Sequence, residues 1–210
     1  MIKKHLKFLI MTSFIILLPI LAGLLLWDQL PEQIPSHWNI DGEIDGWSSK
    51  PFAVFGLPLI LLAVQWLCTL GTAADPKKAN HSGKVMHLVL WIIPIISILL
   101  FTVTYATALG KDIDIDLIMP VFIGFVFAVI GNYLPKCKQN YTIGIKIPWT
   151  LNSEENWNRT HRFAGRLWMV CGLAIMLTGF FGSFWIFVPI VLLMILAPTI
   201  YSYVLHRKGI

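Results

Sequence analysis

Six apolar runs dominate the chain and decide what it can fold into. They cover about Phe8–Trp27, Phe52–Ala74, Val85–Leu109, Leu117–Leu134, Ala164–Phe181 and Phe184–Leu205. A helix needs roughly 20 apolar residues to cross the hydrocarbon of a bilayer, so the pattern predicts six membrane-spanning helices. Composition agrees: 57% of residues are hydrophobic and 13% charged, against about 25% charged in soluble domains. The first run follows the basic start "MIKKHLK". It is longer than the roughly 7–15 apolar residues of a secretory signal and no A-x-A site follows it. It reads as an uncleaved anchor. The fifth and sixth runs are separated only by "FGS", which predicts an antiparallel pair joined by a tight turn.

Charge orients the spans. All Lys and Arg residues except Lys50 and Lys111 fall at the N-terminus, in the second and fourth loops or at the C-terminus. Positive residues favour the cytoplasm, so both termini are expected inside, in keeping with an even number of spans. Most acids lie in the other loops: Asp28, Glu32, Asp41, Glu43, Asp45, Asp112, Asp114 and Asp116. The net charge of +5 does not point to nucleic acid, because the basic residues flank apolar runs instead of forming a stripe or module. Cys68, Cys137 and Cys171 are far apart, with neither disulfide nor zinc-ligand spacing. No cofactor and no metal site is expected.

Within the spans, Pro19, Pro58, Pro94, Pro189 and Pro198 bend helices and free backbone carbonyls. Small residues recur four apart, as in Thr102, Ala106, Gly110 and in Gly124, Ala128, Asn132, which allows close helix packing within one chain or between chains. No Asp, Glu, Lys or Arg lies near the middle of a span. Ion-coupled transporters usually need such groups.

Two polar segments interrupt this pattern. The first, "LPEQIPSHWNIDGEIDGWSSK", is predicted outside. Pro31 and Pro35 hold it extended, and Asp41-Gly42 and Asp45-Gly46 both signal turns. Trp27, Trp38 and Trp47 suit an interface. The segment reads as a compact folded cap. "DGEIDG" resembles the start of a calcium loop, but Phe52 stands where the bidentate acid is required. His37 reads as a hydrogen-bonded interfacial residue.

The second segment runs from Asn140 to Trp168 and is predicted cytoplasmic. Tyr141, Ile143, Ile145 and Ile147 alternate, the pattern of a short strand, with Gly144 permitting a bend. Asn152 or Ser153 then caps a helix whose first turn holds Glu154 and Glu155, and Asn152 with Glu155 has capping-box spacing. Trp157, His161, Ala164 and Trp168 share one face of that helix and Arg159, Arg162 and Arg166 another. The aromatic face is expected in the headgroup zone and the arginines against anionic lipid. His161 is the one candidate base in the segment, with Glu154 and Asn158 as conceivable partners. No Ser or Cys nucleophile and no phosphate loop accompanies it, so no catalytic residue is assigned.

"GNYLPKCKQNYTIGIKIPWTLNSEENWNRTHRFAGRLW" resembles the signature of the SdpI family of bacterial immunity proteins. The matching residues include Gly131, Asn132, Asn140, Gly144, Ile145, Pro148, Trp149, Thr150, Leu151, Trp157, Thr160, His161, Arg162 and Gly165. Lys146 stands where that family commonly has Arg, and Asn156 where it has Val. The outer loop is similar to a domain of unknown function often joined N-terminal to the SdpI segment, which divides the chain into residues 1–74 and 75–210.

The resemblance implies a multi-pass protein of the bacterial plasma membrane. Such a protein protects its producer from a secreted peptide toxin and also acts as a receptor that holds a cytoplasmic repressor at the membrane. The expected fold is all-α, with six spans, a folded extracellular loop after the first helix and a cytoplasmic motif before the fifth. The expected binding residues are Asn132, Asn140, Lys146, Trp149, Thr150, Trp157, Thr160, His161 and Arg162 inside, and His37, Trp38, Asp45 and Trp47 outside. A membrane enzyme and a small-molecule or lipid transporter are the alternatives.

Overall fold

The computed structural model describes residues 2–181 and 184–210. Seven helices are seen: α1 (Ile2–Leu25), α2 (Leu57–Ala73), α3 (Gly83–Ala108), α4 (Ile115–Tyr133), the short α5 (Pro148–Asn152), α6 (Glu154–Phe181) and α7 (Phe184–Arg207). All but α5 are long and apolar enough to cross a membrane, as the six runs require. The turn expected at "FGS" falls on residues 182–183, outside the described residues. Pro120, inside α4, adds to the span prolines anticipated from sequence.

The chain divides into two compact units. The first comprises Met1–Ala73 and His87–Asp114. Between α1 and α2 it carries β1 (Gln33–Trp38) and β2 (Ile44–Ser49), an antiparallel hairpin. The outer segment is thus a folded cap, and its fold is β. Only one of the two predicted turns is a turn. The loop closes at Asn39–Glu43, where Asn39 Oδ1 accepts the N–H groups of Asp41 and Glu43, each at 2.9 Å, and Gly42 takes φ +73°. Asp45-Gly46 lies inside β2 at an irregularity opposite His37. A Cβ on Gly46 would sit 2.7 Å from the His37 Cβ, so this glycine serves close approach of two strands.

The hairpin is anchored at its base. Ile34 and Leu30 enter a core with Ala53, Val54, Phe101 and Tyr105. Lys50 is buried; its Nζ reaches Trp27 O at 3.3 Å and Glu32 Oε1 at 2.8 Å. Below the hairpin, α1 and α2 are joined by Gln65 Nε2 donating to Thr12 Oγ1 (2.7 Å) and by Trp66 Nε1 donating to Ser13 Oγ (3.2 Å). Ser97 and Tyr105 of α3 donate to the carbonyls of Ile16 and Pro19 near the α1 proline.

The second unit comprises Ala74–Met86 and Ile115–Ile210. Its spine is the crossing of α4 and α6, which meet backbone to backbone. A Cβ on Gly124 would lie 2.4 Å from Gly172 O, and one on Gly165 would lie 2.7 Å from Gly131 O. Small residues therefore do pack helices here, within one chain. The seam uses Gly131, and Asn132 is exposed. The other stripe makes no such crossing at its end, since a Cβ on Gly110 would meet nothing within 4 Å. α7 packs on α6 through Cys171, Ile175 and Met194, and Trp168 Nε1 donates to Met194 O at 2.9 Å.

Candidate functional site

The motif segment is not a strand. From Gln139 to Ile147 the chain makes a series of bends, because side chains take over the hydrogen bonds that a ladder would supply. Asn140 is buried and uses its whole amide. Oδ1 accepts from the N–H groups of Thr142 (2.9 Å) and Ile143 (2.7 Å), and Nδ2 donates to the carbonyls of Lys138 and Ile143. Thr150 at the start of α5 accepts the Ile147 N–H at 3.1 Å and donates to Ile145 O at 2.8 Å. Gln139 donates to the carbonyls of Thr150 and Leu151, so both ends of the loop are tied together.

Helix α6 supplies the floor. It starts where sequence placed it, with Ser153 as the cap: Ser153 Oγ accepts the Asn156 N–H at 3.2 Å. The aromatic face expected in the headgroup zone packs into protein instead. Trp157 is 0% and His161 1% exposed, their rings stacked at 4.0 Å. Trp157 Nε1 donates to Cys137 O at 2.7 Å. Gly144, at φ +121°, lies directly on this stack, and a Cβ there would fall 2.5 Å from His161 Nε2. The Ile145 N–H donates to His161 Nε2 at 3.0 Å. That nitrogen is therefore an acceptor, and Nδ1 carries the proton, donated to Trp157 O at 2.8 Å. The partners conceived from sequence, Glu154 and Asn158, are not used. Buried and with both ring nitrogens engaged, His161 is a splint between helix and loop.

A second group, unanticipated from sequence, fastens the loop before α3 to the motif. The side chains of Asp75 and His81 are 0% and 1% exposed, with His81 Nε2 3.3 Å from Asp75 Oδ2. Asp75 also accepts the N–H groups of Lys77 (2.7 Å) and Tyr141 (2.9 Å) and the hydroxyl of Thr142 (2.9 Å). Burial alone would raise the pKa of this carboxyl; the hydrogen bonds from Lys77, Thr142 and Tyr141, with His81 beside it, outweigh burial and hold it below its ordinary value. Lys77 reaches the Gln139 amide oxygen, and Asn80 donates to Gln139 O at 2.6 Å. One signal was available: Asp75 is the single acid in a lysine-rich loop.

Asn156, the position where Val is common in the resembled family, is also buried. It donates to the carbonyls of Ser202 (3.0 Å) and Ile210 (3.1 Å) and accepts from Thr160 (3.1 Å) and the Ser202 hydroxyl (2.5 Å). Burial pushes the Cys137 thiol up to about 11, away from nucleophilic chemistry.

The anticipated inner residues thus separate into two groups. Asn140, Thr150, Trp157, Thr160 and His161 are buried and partnered within the chain. Trp149 is half-buried against Tyr203 and His206 of α7. Lys146 and Arg162 are exposed, with Lys146 Nζ on Thr142 O at 2.9 Å. Asn132 makes no part of this cluster.

The chain's matches to known families fall on the same two segments. Residues 136–202 match the SdpI/YfhL protein family and residues 14–62 a domain of unknown function, DUF1648. The motif segment and the helices that follow it are thus similar to the SdpI/YfhL family. Over 206 residues it is 29% identical to the immunity protein SdpI of Bacillus subtilis strain 168, covering 95% of this chain and 96% of that protein. No solved structure matches it. The SdpI/YfhL match contains α5, α6 and most of α7, and six helices long and apolar enough to cross a membrane make the chain a multi-pass membrane protein.

In the hairpin, the four anticipated residues do converge on one element. His37 Nδ1 lies 2.5 Å from Asp45 Oδ1 across the strands, both exposed. Trp47 is 55% exposed; Trp38 is half-buried. Glu43 is held near Asn39, so the acids of "DGEIDG" are directed to separate partners. Among the described residues no three His, Cys, Asp or Glu side chains gather as metal ligands.

Proposed function

We propose that this chain is a membrane immunity protein that protects the bacterium producing it against a secreted killing peptide. The observation that carries the reading is the end-to-end match to an immunity protein, 95% of one chain against 96% of the other. The positive-inside charge pattern places the hairpin outside, where the peptide arrives. It offers an exposed tryptophan beside a His–Asp pair, a chemistry suited to an apolar peptide bearing positive charge. The motif segment lies on the cytoplasmic side in this reading. Its exposed residues, Lys146, Arg162 and the open edge of Trp149, are then the ones that meet a cytoplasmic repressor, and its buried residues keep that surface in shape. The role is non-catalytic: the one candidate base, His161, is used within the fold.

The test is survival of sensitive bacteria expressing the chain when challenged with an SDP-type killing peptide, against an empty vector. Protection by the intact chain, lost on Trp47→Ala/Asp45→Ala at equal protein level, is expected. No protection by the intact chain would overturn the reading for this peptide class.

A further inference from the structure

The exposed face of α6 carries a groove that, apart from Arg162, the immunity reading leaves unused. An open groove of about 790 Å³ lies between α6 and α7, lined among others by Arg159, Arg162, Phe163 and Arg166 from α6 and Tyr201 from α7. Its charges are sorted along the helix. Glu154 and Glu155 stand at the start, and Glu155 is paired with Arg159 at 2.5 Å. Arg162 and Arg166, one and two turns closer to the apolar run, pair with no carboxylate among the described residues. The Phe163 and Tyr201 rings stack at 4.7 Å and form an aromatic wall.

Position and continuity identify the occupant. α6 has 28 residues, about 42 Å at 1.5 Å per residue, while the hydrocarbon is about 30 Å thick. The polar first turns therefore extend beyond a hydrocarbon of that thickness, and Arg162 and Arg166 stand where the apolar sequence begins, a position suited to lipid phosphates. On the same helix face, at four, seven and eleven residues beyond Arg166, Val170, Leu173 and Leu177 are 66%, 56% and 58% exposed. A soluble anion would use only the arginines. A glycerophospholipid would use the arginines for its phosphate and this ridge for an acyl chain. Guanidinium forks suit phosphate oxygens.

We propose that the α6–α7 groove is a binding site for an anionic glycerophospholipid, with the phosphate on Arg162 and Arg166 and an acyl chain along Val170, Leu173 and Leu177. The acids at the outer end of the groove point its polarity toward water and keep the phosphate at the arginine end.

Full-length protein in mild detergent, titrated with dioleoyl phosphatidylglycerol or dioleoyl phosphatidylcholine and read by native mass spectrometry, tests this. The intact protein is expected to retain one phosphatidylglycerol about tenfold more strongly than phosphatidylcholine. Arg162→Gln/Arg166→Gln should abolish the preference, Arg162→Lys/Arg166→Lys should keep part of it, and Lys138→Gln/Lys146→Gln, outside the groove, should leave it intact. Inorganic phosphate in millimolar excess should fail to displace the lipid. The proposal is overturned if the Gln pair, eluting as folded protein, keeps the preference. It is equally overturned if both lipids bind alike, or if phosphate alone competes, which would mean a soluble-anion site.

Discussion

The hairpin and the motif segment are both polar insertions between apolar helices, and they use their polar groups in opposite ways. The hairpin is held at its base by Ile34 and Lys50 and leaves Asp45, Trp47 and His37 exposed. The motif turns its Asn, Thr, His and Trp groups inward, where nearly every donor and acceptor finds a partner in the chain. A family-like signature is dense in the second region, yet most of its residues are engaged by partners within the chain. The hairpin thus leaves most of its anticipated residues exposed, whereas the motif buries most of its own.

Variants can break that contrast or sharpen it. The largest effect is expected from Trp157→Ala, which empties a wholly buried site and removes the bond to Cys137 O; about 3–5 kcal/mol of stability should be lost, read as loss of a monodisperse peak in detergent. Gly144→Ala comes next. It forces a Cβ onto His161 at a backbone angle that disfavours any side chain, and a cost of about 1–3 kcal/mol should appear as a lower unfolding temperature.

Asp75→Asn should cost about 1–3 kcal/mol near neutral pH, since it weakens a buried set of hydrogen bonds. Its pH dependence has a definite sign. The folded carboxyl titrates below its ordinary value of 3.8, so its contribution is complete above that value and is lost as pH falls through the lower, folded one. The gap between the unfolding midpoints of parent and variant should narrow on acidification; a constant gap would show that Asp75 acts by shape alone. The smallest stability effect is expected in the hairpin. Trp47→Ala should change stability by no more than about 0.5 kcal/mol while reducing protection in the killing assay. If it unfolds the protein instead, the contrast between the two regions fails.

Much of the fold was legible because apolar run length maps directly onto membrane helices. The start of α6 was legible too, since Ser153 and the two glutamates obey local capping rules. The loop from Gln139 to Ile147 was not. Alternating apolar residues suggested a strand, but strand pairing is non-local, and here Asn140 and Thr150 bind the backbone before a partner strand could. Asp45-Gly46 was misread because glycine serves turns and close contacts alike. The burial of Trp157 and His161 was hidden because an amphipathic helix face does not reveal whether protein or lipid covers it. Asp75, His81 and Asn156 act across long sequence separations, which no local pattern records.

The glycine crossing of α4 and α6 has a consequence for permeation. Where Gly124 meets Gly172 and Gly131 meets Gly165, even a single added carbon would collide with the opposite backbone. No lumen exists along that seam, and opening one would require separating two helices whose contact is made of main chain. Under the proposed immunity function, expulsion of a peptide between α4 and α6 is therefore not the route of protection.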